Sequence, residues 1–207
     1  MSPASQPAPF NQKIRLYSLW LLAAAFLSTF LFSMPLWGDD SGIHEPMEVT
    51  GLVLLFAAIL GRLWSILYIG AHKNSRLITD GPYSISRNPL YLFSLIGVTG
   101  IGLMFGSLLI TAALVGVAFL IFRGTALREA AHLRRKFGAA YEAYAAETPL
   151  LRPDFSRYRS EIEVTFSTVA LATTFRDAVC LLALFPSVEV LEKLHAAGYL
   201  ATLFYIP

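Results

Sequence analysis

The chain is 207 residues long, 56% of them hydrophobic and 14% charged, with a net charge of +2 and a mean hydropathy of +0.58. A soluble domain carries about 25% charged and about 45–50% apolar residues, so this balance excludes an ordinary water-soluble fold and makes lipid the expected solvent. The small net charge says little by itself; no nucleic-acid partner is expected, and the information lies in where the 16 Lys and Arg sit.

The first residues, rich in Ser, Ala, Pro and Gln, read as a disordered tail over 1–15, with no cleavable signal. Leu16 to Trp37 then runs without a charge, enough to cross a hydrocarbon core about 30 Å thick. Lys13 and Arg15 precede it, and Asp39, Asp40 and Glu45 follow. The positive-inside bias therefore puts the N-terminus in the cytoplasm and the 38–47 loop outside. Val49 to Ala71 is a second span, interrupted by Arg62, and Lys73, Arg76 and Arg87 mark the next loop as cytoplasmic. Leu90 to Phe122 carries no charge, and at about 1.5 Å per residue it is too long for one ordinary span. A hairpin of two helices turning near Gly106-Ser107 is expected, with Gly97, Gly100, Gly102 and Gly106 letting its two backbones approach.

From Gly124 to Thr148, Leu127, Ala130, Phe137, Tyr141 and Tyr144 recur at helical spacing among Arg128, Arg134, Arg135, Lys136 and Glu142. This predicts a separate amphipathic helix, cytoplasmic or interfacial, ended by Pro149 and Pro153. Two further helices are expected over Val164–Phe185 and Ser187–Pro207, with membrane crossing undecided. The fold class is thus an all-α integral membrane protein of four to five transmembrane helices, a cytoplasmic amphipathic helix and C-terminal helices. Residues 16–155 form the core, and 156–207 a helical extension of unknown role. Cys180, in an apolar run, reads as a buried small hydrophobe.

Three places hold polar groups that lipid does not favour. Arg62 lies within a span, where a charge faces the bundle interior with a partner unless it snorkels out. The loop Thr79–Tyr91 combines Asp-Gly-Pro turn chemistry with Tyr83, Arg87, Asn88 and Tyr91, and Pro89 opens the next helix. Glu129 and His132 stand one turn apart, able to share a ligand. No second Glu-x-x-His accompanies them, so no metal site is expected. The glycines from Gly97 to Gly102 lie inside an apolar helix and read as packing residues, not a nucleotide loop.

Two of these places carry a recognisable pattern. Gly81-Pro82-Tyr83, Arg87-Asn88-Pro89 and Tyr91 are followed, after an apolar hairpin, by Glu129, Leu133, Phe137-Gly138, Tyr141, Tyr144 and Pro153. Gly61-Arg62-Leu63-Trp64 and Gly70 precede them. This double motif resembles the isoprenylcysteine carboxyl methyltransferase family, which is similar to the membrane phospholipid N-methyltransferases. The resemblance implies S-adenosyl-L-methionine as cofactor, held at a cytoplasmic site in a protein of the bacterial inner membrane. It implies a lipophilic or small acceptor presenting a carboxyl, amine or thiol. Tyr83, Arg87, Asn88, Pro89, Tyr91, Glu129 and His132 would bind the cofactor, and Arg62 and Glu129 would serve catalysis. Asn88 stands where the family usually has His, Ala130 where it has a second Glu, and Phe93 where it has Gly, which should narrow the acceptor path. An NADPH-dependent reductase of the sterol-reductase type, with Arg134, Arg135 and Lys136 for the 2′-phosphate, is the alternative, followed by a non-enzymatic membrane or transport component. Oligomeric state is left open.

Overall fold

The computed structural model describes residues 13–35, 42–71, 76–161, 163–200 and 204–206. Most of the expected N-terminal tail, the end of the first span at Trp37 and Lys73 lie outside the described residues. The architecture is helical: α1 (Lys13–Phe32), α2 (His44–Ile69), the single turn α3 (Pro82–Ile85), α4 (Pro89–Met104), α5 (Leu108–Phe137), α6 (Ala139–Glu147), α7 (Thr168–Leu182) and α8 (Leu184–Ala196). Two three-residue segments, β1 (Ser33–Pro35) and β2 (Phe204–Ile206), pair in parallel and tie the two ends of the described chain together.

By length and composition α2 and α5 can each cross a membrane, and α1 and α4 are shorter apolar helices beside them. Trp20, Leu21, Leu60, Leu109 and Leu120 are exposed, as lipid-facing side chains would be. The expected hairpin is present, and its turn lies at Phe105–Ser107. Gly106 takes φ +77°, and the Ser107 hydroxyl accepts from the Ile110 N–H to cap α5. Pro89 opens α4 at its first turn, where a missing N–H costs nothing.

The separate amphipathic helix is not found as expected. α5 runs unbroken for 30 residues, about 45 Å, through the change from apolar to charged sequence at Arg123. The break comes instead at Gly138, where φ is +54°, and an Arg134–Glu142 ion pair bridges it. A shift in polarity marks a change of surroundings, not a change of backbone. At the C-terminal end α8 begins before Pro186 and includes it in its first turn, which proline tolerates. Cys180 is exposed, not buried.

The tightest packing is between α2 and α4, not within the α4–α5 hairpin. A methyl placed on Gly51 would sit 2.6 Å from the Gly100 carbonyl oxygen, and one on Gly97 would sit 3.2 Å from Ala58 Cβ. A methyl on Gly61 would collide with the Phe93 ring. Of the four hairpin glycines, Gly102 faces α5, against Thr111, and Gly106 makes the turn. Phe93 therefore lies over Gly61, near Trp64 at 6.3 Å between ring centroids, and does not border the cavity described below.

Candidate cofactor site

The Asp80–Tyr91 segment is a buried shelf stapled to a later stretch of chain. Gly81 adopts φ +59°, and a methyl there would lie 2.3 Å from the Tyr68 ring, so both backbone and packing require glycine. The Gly81 N–H donates to the Arg159 carbonyl at 2.7 Å, Arg87 N–H to Pro149 at 2.9 Å, and Asp154 N–H donates to Ile85 at 2.9 Å. The Ser84 hydroxyl accepts from the Arg159 N–H at 3.1 Å. From α6, the Tyr144 hydroxyl donates to the Tyr83 carbonyl at 2.7 Å, a buried bond. These bonds fix the shelf against the end of the bundle.

Above the shelf lies a cavity of about 640 Å³. Arg62, Tyr83, Arg87, Asn88, Pro89, Tyr91, Glu129 and His132 all border it, so one space receives every site residue expected from the sequence. The helical period does part of this work: 129 and 132 share a face of α5, as 62, 66 and 69 share a face of α2. Tyr91 stacks on Phe122, ring centroids 5.3 Å apart and planes 12° from parallel. Arg62 does not snorkel away; its guanidinium donates to the Ser94 hydroxyl at 2.5 Å.

Among the described residues, three buried polar atoms along this wall have no hydrogen-bond partner: Tyr83 Oη, Arg87 Nε and His132 Nδ1. Each such group costs about 1–3 kcal/mol unless a ligand or water meets it, so their convergence on one cavity points to a polar ligand. Burial pushes the Tyr83 phenol well above its ordinary range, helped by neighbouring Tyr144 and by the Glu129 carboxylate. Burial raises Tyr144 as well, against the opposing pull of Arg87. Both phenols therefore stay protonated donors at neutral pH. The Arg87 guanidinium also donates to the Tyr141 hydroxyl at 3.3 Å, which orients it.

Asn88 also has a structural partner. Its side-chain amide donates to the Leu150 carbonyl at 3.0 Å, so it fastens the shelf as well as bordering the cavity. Arg134, Arg135 and Lys136 are exposed and do not border it. Among the described residues no group of three or more His, Cys, Asp or Glu gathers as a metal site would. Ala170, Thr173 and Thr174 of α7, which line the cavity beside Ile66, Ile69 and Gly70, carry no motif that marks them in the sequence. Ser94 carries a faint signal, being one of only two aliphatic hydroxyls in α4, with Thr99, and lying one turn beyond Tyr91.

The phospholipid methyltransferase family matches residues 46–140, which include the shelf, both hairpin helices, Glu129 and His132. The chain is 33% identical over 183 residues to the cobalt-zinc-cadmium resistance protein CzcN of Cupriavidus metallidurans, covering 88% of this chain and 84% of that protein. It is 28% identical over 203 residues to the nickel-cobalt-cadmium resistance protein NccN of Alcaligenes xylosoxydans xylosoxydans, covering 97% and 95% respectively. No solved structure matches the chain significantly. With the shelf and Glu129 inside the matched stretch, the chain belongs to the phospholipid methyltransferase family, the isoprenylcysteine carboxyl methyltransferase-like group of membrane proteins.

Proposed function

We propose that this protein is a membrane-embedded methyltransferase that uses S-adenosyl-L-methionine and a lipophilic or small acceptor with a carboxyl, amine or thiol. The observation that carries this reading is the single cavity bordered by Arg62, Arg87, Glu129 and His132, with buried donors unsatisfied along its wall. The cofactor's groups suit that wall. Arg87 offers its guanidinium to a carboxylate, and Glu129 accepts from an ammonium or a ribose hydroxyl. Tyr83 donates from its phenol, and the Tyr91 ring offers a face to adenine or to a sulfonium.

When bound, the cofactor supplies an electrophilic methyl group on sulfur. The protein's part is to hold both reactants in line and keep water out, which is where most of the rate arises in such a displacement. Arg62, fixed by Ser94, orients the acceptor's polar head, and the apolar face of Ile66 and Ile69 receives its tail. We place the N-terminus, the 72–89 loop and the 123–160 segment in the cytoplasm of a bacterial cell, at its inner membrane, on the distribution of Lys and Arg. On this reading α1 and α4 join α2 and α5 as spans, giving four, and residues 16–155 are the methyltransferase core.

The reductase alternative is weaker because its basic cluster lies off the cavity and Arg134 is engaged by Glu142. The metal resistance named for the two relatives does not require a metal in this cavity; methylation of a membrane component would act beside it. The test is transfer of label. Protein in vesicles of bacterial inner-membrane lipid, given methyl-tritiated S-adenosylmethionine, should produce labelled product that the Glu129→Gln variant does not. Equal label from both proteins, or none above protein-free vesicles, would contradict the proposal.

A further inference from the structure

Resting on the methyltransferase reading, we infer that α7 forms the acceptor-side wall of the cavity, and that Thr173 and Thr174 set the size of acceptor admitted. The family match ends at residue 140, so this wall is supplied by chain outside it. α7 docks on α2 through a stripe of small residues at helical spacing, Ala170, Thr174 and Ala178. Ala178 is buried with Leu55, Ile59 and Met104. A methyl built on Gly70 would lie 3.1 Å from Ala170 Cβ, which brings this end of α7 against the face of α2 that carries Ile66 and Arg62.

The chemistry of the wall is apolar despite its two threonines. The Thr173 hydroxyl donates to the Val169 carbonyl at 2.9 Å and that of Thr174 to Ala170 at 3.0 Å. With both hydroxyls turned back to their own helix, they have no need of a ligand. Shape, not hydrogen bonding, is then what this side of the cavity reads. The shelf and α5 supply the polar half, so the space between α2 and α7 suits an apolar chain whose anionic head meets Arg62.

A diazirine-bearing fatty acid is a suitable probe, since its carboxylate fits Arg62 and its chain fits Ile66, Ile69 and Ala170. In the wild-type protein, photolabelling should map to α7. Thr173→Phe and Thr174→Leu should each cut labelling by about tenfold, because the larger side chain takes up the space the acceptor chain would fill. Thr174→Val keeps the shape and loses the hydroxyl, and should label as wild type does. Thr173 is exposed, so its variant keeps the test sound if Thr174→Leu folds poorly. Unchanged labelling in Thr173→Phe, or wild-type labelling that avoids α7, would overturn the inference even with the cofactor bound. Labelling of α7 in a protein that fails to bind S-adenosylmethionine would overturn the cofactor reading and leave the wall standing.

Discussion

Arg87→Ala and Glu129→Gln should each weaken S-adenosylmethionine binding by about ten- to a hundredfold, the loss of a charge-assisted hydrogen bond worth about 1.5–3 kcal/mol. The two residues come from segments some forty positions apart, yet both border one cavity. The Glu129 carboxylate also acts on the Tyr83 phenol, on the same shelf as Arg87. Glu129→Gln preserves size and one acceptor oxygen while removing the charge, so it separates electrostatics from packing. Arg87→Ala also loses the bond to Tyr141, so Arg87→Lys belongs beside it. Lysine keeps the charge but not the fork, and should recover part of the affinity. Isothermal titration with thermal midpoints on the same samples checks this. Wild-type affinity in both variants would show that the shelf and α5 meet for packing alone.

Gly100→Ala should be strongly destabilising. The added carbon would lie 2.6 Å from the Gly51 carbonyl oxygen and 3.0 Å from the Leu55 nitrogen, and both obstacles are backbone. Neither can rotate away, so α2 and α4 must move apart at about 1–3 kcal/mol or more. Arg62–Ser94 and Gly61–Phe93 span that same interface. Cofactor affinity should therefore fall together with the thermal midpoint. Gly116→Ala is the control: nothing lies within 4 Å of the added carbon, and an alanine there gains helix propensity. Equal midpoints for the two variants would mean that α2 and α4 are not as close as described.

What could be read from the sequence was local. The charge-free run from Leu90 to Phe122 demanded a turn, and the turn lies where Gly106 and Ser107 predicted it. The motif residues reached one cavity because they sit on one loop, on one helix turn and on one face of a span, arrangements that spacing alone specifies. What stayed hidden depends on partners far along the chain. The Asn88 amide meets a carbonyl 62 residues away, and α7 meets Gly70 across a whole hairpin. Nothing in those short stretches encodes the encounter. The continuity of α5 is hidden for a different reason. Its sequence changes solvent at Arg123 without changing its helical preference, and Gly124 inside it has no side chain to clash. The backbone breaks only where Gly138 takes a positive φ.

A binding titration of the purified protein with S-adenosylmethionine against NADPH tests most directly the proposal that this cavity holds S-adenosylmethionine. The expected result is saturable, one-to-one binding of S-adenosylmethionine, weakened in Glu129→Gln, with NADPH bound at least about tenfold less tightly. Saturable NADPH binding that ignores Glu129, with no binding of S-adenosylmethionine, would contradict it.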